Sequence, residues 1–288
     1  MMMRRCLLVL LLVMIVPSLA LAQQLTGTLK KIKDTKTISL GYRDSSPPFS
    51  SVASDNKPAG YSIDLCLRVT EALKQQLSVP DLQVKWVLVH PDTRIQAVTS
   101  GTVDLECGST SITLSRLEQV DFSWMTFLTG GSLLVRVASG IQGVSDLGGK
   151  RVGILPGTTT EKALADWLKK SFIAPQIVQV KEHAEGLAGL ENGTLDAYAS
   201  DLVLLIGLGR SAKDPTKLTL FGDQFSYEPY GLMLPRGDAD FRLAVNRVLA
   251  SLYRSGEIID VFKRWFAAIG ARPSPLLLAM YTLHGIPE

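Results

Sequence analysis

Twice along this chain, short apolar runs of strand character alternate with segments of helical period, and that order leaves few folds open. Thr37–Tyr42 alternates like a strand and runs into a turn-rich stretch, Arg43 to Pro48. After the Gly60-Tyr61-Ser62 turn, Ile63, Leu65, Cys66, Val69, Leu73 and Leu77 recur at helical spacing. Residues 82–89 read as the next strand, 93–98 as a helical turn or two closed by Gly101, and 103–105 as a third strand. Strand, helix, strand, helix, strand predicts an α/β unit around a parallel sheet.

The pattern then repeats. Strands are predicted over residues 152–155, 176–180 and 197–199, with helices over 161–170, 184–190 and 202–208. The apolar stretches 132–137 and 230–234 flank this second unit and read as two extended crossings, one leaving the first unit and one returning. Helical segments over 241–252 and Glu257–Phe266 are expected to pack back on the first unit. The expectation is two α/β lobes, the first discontinuous: residues 23–130 and 229–288 in one, 131–228 in the other. Ligand sites favour domain interfaces, so the cleft between the lobes is the natural site.

The front of the chain reads as a cleaved secretory signal over residues 1–22. Arg4 and Arg5 precede an apolar run over residues 7–16, which is broken by Pro17 and followed by Ala20-Leu21-Ala22 before Gln23. That run is too short to span a membrane. Cleavage leaves about 266 residues, enough for one large domain or two modest ones. Losing the two arginines takes the formal charge from +3 to +1. A near-neutral chain without a basic cluster argues against nucleic acid or a membrane surface as partner. Cys66 and Cys107 survive cleavage. In an oxidising compartment they can pair, or they can be two buried free thiols; neither has a second ligand at metal-finger spacing.

The richest stretch chemically runs from Asp104 through Glu106-Cys107-Gly108-Ser109-Thr110-Ser111-Ile112-Thr113 to Arg116, with Val120-Asp121-Phe122-Ser123 after it. Hydroxyls, loop N–H groups and a guanidinium within a dozen residues suit an anion, and arginine offers a planar fork matched to a carboxylate. Nothing there pairs a nucleophile with a base.

These segments resemble the periplasmic solute-binding proteins of amino-acid ABC transporters, and most closely their glutamate/aspartate-binding branch. The resemblance covers essentially the whole mature chain. It is carried by the Gly41 to Ser50 run, Gly60-Tyr61-Ser62-Ile63-Asp64, Pro80-Asp81-Leu82-Gln83-Val84, the Glu106 to Arg116 run, Pro156-Gly157-Thr158-Thr159 and Lys181-Glu182-His183. It implies a two-lobed type II periplasmic-binding-protein fold and a receptor that delivers its ligand to an inner-membrane ABC permease. A monomer without cofactor, metal or catalytic residues is expected.

The resemblance also assigns roles. Arg116 matches the arginine that clamps the ligand α-carboxylate, helped by Ser111 and the backbone N–H of Thr159, where Gly157 leads a tight loop into a helix N-terminus. Asp201 matches the carboxylate that receives the ligand ammonium, a partner without which that cation would be desolvated unpaired. Arg43, Arg94, His183 and Ser109 match the donors to a distal carboxylate. Three buried guanidinium groups without counter-ions would be costly, which favours a doubly anionic ligand, glutamate or aspartate. Three positions depart from the branch: Pro91 replaces a polar residue, Ser111 a threonine, and Leu232 a cysteine found in some relatives.

Local readings compete at each position. Arg116 can pair with Glu118 or Asp121, Arg94 with Asp92, and Arg43 can lie on a loop surface. His183 can make a structural bond, Asp201 can cap the helix after it, and Ser109, Ser111 and Thr159 can close their own turns. At the level of function, the same scaffold serves secreted dehydratases of dicarboxylated cyclic substrates, in which Glu106 or His183 would be the acid or base. A sensor domain is a third reading.

Overall fold

The computed structural model describes residues 25–288; the secretory signal expected over residues 1–22 lies outside the described residues. The chain begins with α1 (Gly27–Thr35) and β1 (Thr37–Tyr42), then a small antiparallel sheet of β2 (Ser45–Ser46), β3 (Ser50–Val52) and β4 (Pro58–Ala59). Next come α2 (Tyr61–Gln76), β5 (Gln83–Leu88), α3 (Arg94–Thr99), β6 (Leu105–Glu106), α4 (Leu114–Leu117) and the long β7 (Val120–Thr129). The middle of the chain carries β8 (Gly131–Arg136), β9 (Arg151–Ile154), α5 (Thr159–Lys170), β10 (Gln176–Gln179), α6 (His183–Asn192), β11 (Ala197–Asp201), α7 (Leu202–Ser211) and β12 (Leu218–Leu220). It ends with β13 (Glu228–Pro235), α8 (Ala239–Ser255), α9 (Glu257–Phe266) and α10 (Pro275–His284).

Two five-stranded sheets result, one per lobe, in the orders β5-β1-β6-β13-β7 and β10-β9-β11-β8-β12. In the first, β5, β1 and β6 are parallel and β13 runs antiparallel to β6 and β7. In the second, β10, β9 and β11 are parallel, while β8 runs antiparallel to β11 and β12. Residues 132–137 therefore do not form a free crossing: nearly all of them lie in β8, an inner strand laddered on both sides. Residues 230–234 likewise belong to the first sheet. The chain changes sheets at Gly130, where an added Cβ would meet Ser226 O at 2.4 Å, so two segments pass there too closely for a side chain.

The first lobe is held by an aromatic core. Phe49 stands edge-on to Phe127 and Tyr230, with centroids 4.9 and 5.0 Å away, and Phe262 stacks on Phe266 at 4.4 Å. Full burial of one such ring stabilises by about 1.5–3 kcal/mol. The tail helices supply Phe241, Val245, Leu249, Val261 and Phe266 to this core, packing back as the sequence predicts. In the second lobe, alternation along β8 sends Leu133 into one core with Val152 and Leu164, and Leu134 into the other with Leu190 and Tyr198.

Cys66 on α2 and Cys107 after β6 are joined in a disulfide, resolving the two alternatives the sequence leaves open. Helix α1 was not expected: of its nine residues only Thr28, Leu29 and Ile32 are buried. It is docked by Asp238, at the start of α8, which accepts from Thr28 N at 2.7 Å, and by Lys31, whose Nζ lies 2.6 Å from Asp104 Oδ2. Among the described residues no helix is long and apolar enough to cross a membrane.

Candidate functional site

Both parallel strand sets turn their carboxyl ends toward the boundary between the lobes, the end of an α/β sheet at which ligands bind. Arg43 follows β1, Glu106 ends β6 with the Gly108 to Ser111 loop behind it, and Arg116 sits in α4. From the second lobe, Thr159 opens α5 after β9, Glu182 and His183 follow β10, and Asp201 ends β11. Arg43, Arg94, Ser109, Ser111, Arg116, His183 and Asp201 are all buried, and Thr159 is half-buried.

Arg116 is not engaged by Glu118 or Asp121. Its Nη1 donates to the Ser111 carbonyl at 2.7 Å and its Nη2 to the Gly157 carbonyl, across the lobe boundary, at 3.4 Å. Asp121 instead lies 3.5 Å from Arg242. Burial lowers the Arg116 pKa, opposed by Glu106, Glu228 and Asp201. Arg94 reaches into the first-lobe loop rather than pairing with Asp92. Its Nη1 donates to Thr110 Oγ1 at 2.7 Å, and that hydroxyl donates to Glu106 Oε2 at 2.8 Å. Burial, then the neighbouring Arg116, brings Arg94 down to about 9, still a cation at neutral pH. A Cβ at Gly108 would stand 2.2 Å from Glu106 Oε1, so a larger residue there would have to push that carboxylate aside. Arg94 Nε, Arg43 Nε and Glu106 Oε1 are buried without hydrogen-bond partners. Ser109 is buried in the same loop.

Arg43 is only 1% exposed, which rules out a loop-surface role. Its Nη2 donates to Glu182 Oε2 at 2.5 Å across the boundary. Ser45 donates to the same oxygen at 2.8 Å, and His90 Nδ1 lies against Oε1. Burial pushes the Glu182 carboxyl up, but Arg43, His90 and Ser45 together hold it below the ordinary carboxylate range. His183 Nδ1 shares a hydrogen bond with the Tyr198 hydroxyl at 2.8 Å. Burial, reinforced by Arg43 and Arg94, pushes the imidazole down to about 3, so it is neutral at physiological pH.

Asp201 occupies the N-cap position of α7, yet its side chain makes no capping bond. Its oxygens instead accept from Thr160, at 2.6 Å, and from the Tyr230 hydroxyl. Burial, and then Glu228, raises its carboxyl to about 6. Thr159 Oγ1 donates to Glu228 Oε2 at 2.5 Å and lies 3.3 Å from Ser111 Oγ. Ser226 donates to the other Glu228 oxygen at 2.7 Å.

The structure corrects one sequence argument. The three arginines are not without counter-ions: Glu106, Glu182, Asp201 and Glu228 lie among them, so arginine count alone does not demand a dianion. Thr110, Glu182, Glu228 and Tyr230 are site residues the sequence did not single out individually. Thr110 sits inside the hydroxyl run and Glu182 beside His183, so adjacency was the available signal. Glu228 carried none beyond its place at the edge of an apolar stretch.

Relatives carry the same fold. A glutamate/aspartate-binding protein of Pseudomonas aeruginosa is 43% identical over 85% of this chain and 82% of its own length. The glutamate/aspartate import solute-binding protein of Escherichia coli is 35% identical over 83% and 80%. Among solved structures, an ancestral amino acid-binding protein, described as a precursor of cyclohexadienyl dehydratase, superposes with a TM-score of 0.73. It is 25% identical over 83% of this chain and 100% of its own. Residues 38–268 match the bacterial extracellular solute-binding proteins, family 3, and the chain, with its two α/β lobes, belongs to that family.

Proposed function

We propose that this protein is a periplasmic receptor that captures L-glutamate or L-aspartate between its lobes and delivers it to an ABC permease. The observation that carries the reading is the placement of Arg116, in α4 of one lobe, and Asp201, at the end of β11 in the other, opposite buried charges at the lobe boundary. A zwitterionic α-amino acid matches that pair, its carboxylate on Arg116 with Ser111 and the Thr159 N–H, its ammonium on Asp201. Arg43, Arg94, Ser109 and His183 then face the distal group. The acidic choice is supported by the relatives, two of which are named for glutamate and aspartate.

The lobes are taken as residues 23–130 with 229–288 and residues 131–228, a division supported by the two separate sheets, with β13 of the first already beginning at Glu228. The ligand drives closure by adding Thr159, His183 and Asp201 to contacts the first lobe already makes, since only differential contacts shift such an equilibrium. Micromolar binding corresponds to about −8 kcal/mol. Charge-assisted bonds of about 1.5–3 kcal/mol each can supply it. Our reading is of a receptor and not an enzyme.

Calorimetric titration of ligand-stripped protein with glutamate, aspartate, glutamine and asparagine tests this. One-to-one binding of the acids, with Arg43→Ala weakening glutamate far more than glutamine, is expected. Equal losses for both would remove Arg43 from the distal clamp. No binding of any of the four, with turnover of a dicarboxylated cyclic substrate, would establish the dehydratase instead.

A further inference from the structure

We infer that Glu182 sets the balance between acidic and amide ligands by competing with the ligand's distal group for Arg43. The inference rests on the acidic amino-acid reading above and names a residue that reading does not use.

Three first-lobe groups converge on this one second-lobe carboxylate: Arg43, Ser45 and His90. Glu182 stands at the N-cap of α6, but its side chain makes no capping bond. It reaches across to the first lobe instead. Asp44, His90 and Glu182 also bring three donor atoms within 4.8 Å of one another. A cation there is opposed by the Arg43 guanidinium already bonded to Glu182.

The consequence follows from hydrogen-bond chemistry. A distal carboxylate that takes Arg43 must lie beside a second carboxylate, which disfavours it. A distal amide presents an oxygen to Arg43 and an NH2 donor that Glu182 can accept. With Arg94 already balanced through Thr110 by Glu106, the Arg43 and Glu182 pair leaves the distal end with little net positive charge. Glu182 therefore narrows the margin of acid over amide while holding the lobes together.

The test is titration of the parent protein, Glu182→Gln and Glu182→Ser with glutamate, aspartate, glutamine and asparagine. Serine at this position supplies a helix-capping oxygen, so the second variant guards against loss of fold in the first. Any loss of lobe closure affects acid and amide alike and cancels in their Kd ratio. In both variants that ratio is expected to move at least tenfold toward the acid. A shift below threefold, in a parent that binds the acids, overturns the role of Glu182 and leaves the receptor reading standing. A parent that binds no acid overturns both.

Discussion

Tyr230, on the first sheet, donates its hydroxyl to Asp201, at the carboxyl end of the innermost parallel strand of the second. The bond joins the lobes at the carboxylate assigned to the ligand ammonium. Burial, then Glu228, raises that carboxyl to about 6, while the Thr160 and Tyr230 donors hold it from rising further.

Affinity is therefore expected to depend on pH with a definite sign. A bound ammonium favours ionised Asp201, so below about pH 6 binding must first displace a proton. Affinity is full above that value and falls as pH drops through it, about tenfold from pH 7 to pH 5. Calorimetry across this range checks the sign, and Asp201→Asn is expected to weaken binding and abolish the step. Affinity that rises on acidification would contradict the assignment.

His183 supplies the opposite control. Held down to about 3 by burial and by Arg43 and Arg94, it is a neutral donor and not a cation. If it titrated near its ordinary value, acidification would strengthen binding of an acid. Tyr198 shares a hydrogen bond with Nδ1, and the neutral ring carries a single N–H. His183→Gln keeps a neutral donor and is expected to hold Kd within about fivefold, whereas His183→Ala costs about 1–3 kcal/mol as one lost hydrogen bond.

How legible this was depended on whether the signal was local. The sequence places both ends of β1 where the structure has them, because its alternation stops in a turn of serines and prolines. Helix α10 was not legible, because PLLLAMYTLH is apolar nearly all round and shows no stripe. The strand β7 was read only as a motif at its start, since its pairing with β13 carries register shifts. In the site, Arg116 stood out because its hydroxyl neighbours lie within seven residues. Glu182 did not, because its partner Arg43 is 139 residues away and only the fold joins them.

Arg116→Ala is expected to weaken acids and amides equally, since the α-carboxylate is common to both. Two charge-assisted bonds of about 1.5–3 kcal/mol each put the loss at roughly a hundredfold or more. Arg116→Lys is expected to recover little, because a single ammonium cannot reproduce a fork anchored on the Ser111 and Gly157 carbonyls. A selective loss of acids alone would move Arg116 to the distal end.

The disulfide gives a prediction that separates stability from recognition. Cys66 and Cys107 are 41 residues apart, and closing a loop of that length restricts the unfolded chain by about 4 kcal/mol. For a chain of this size that corresponds to roughly 10 °C in melting temperature. The Cys66→Ala, Cys107→Ala variant and the reduced parent are both expected to melt lower by that order in scanning calorimetry. Affinity is expected to fall far less. Although Cys107 leads directly into Gly108 and Ser109, Ser62 Oγ on α2 also donates to the Gly108 carbonyl at 2.7 Å. That bond keeps the loop on the helix when the sulfurs part. A large loss of affinity with little change in melting would mean the bridge positions the site loop itself.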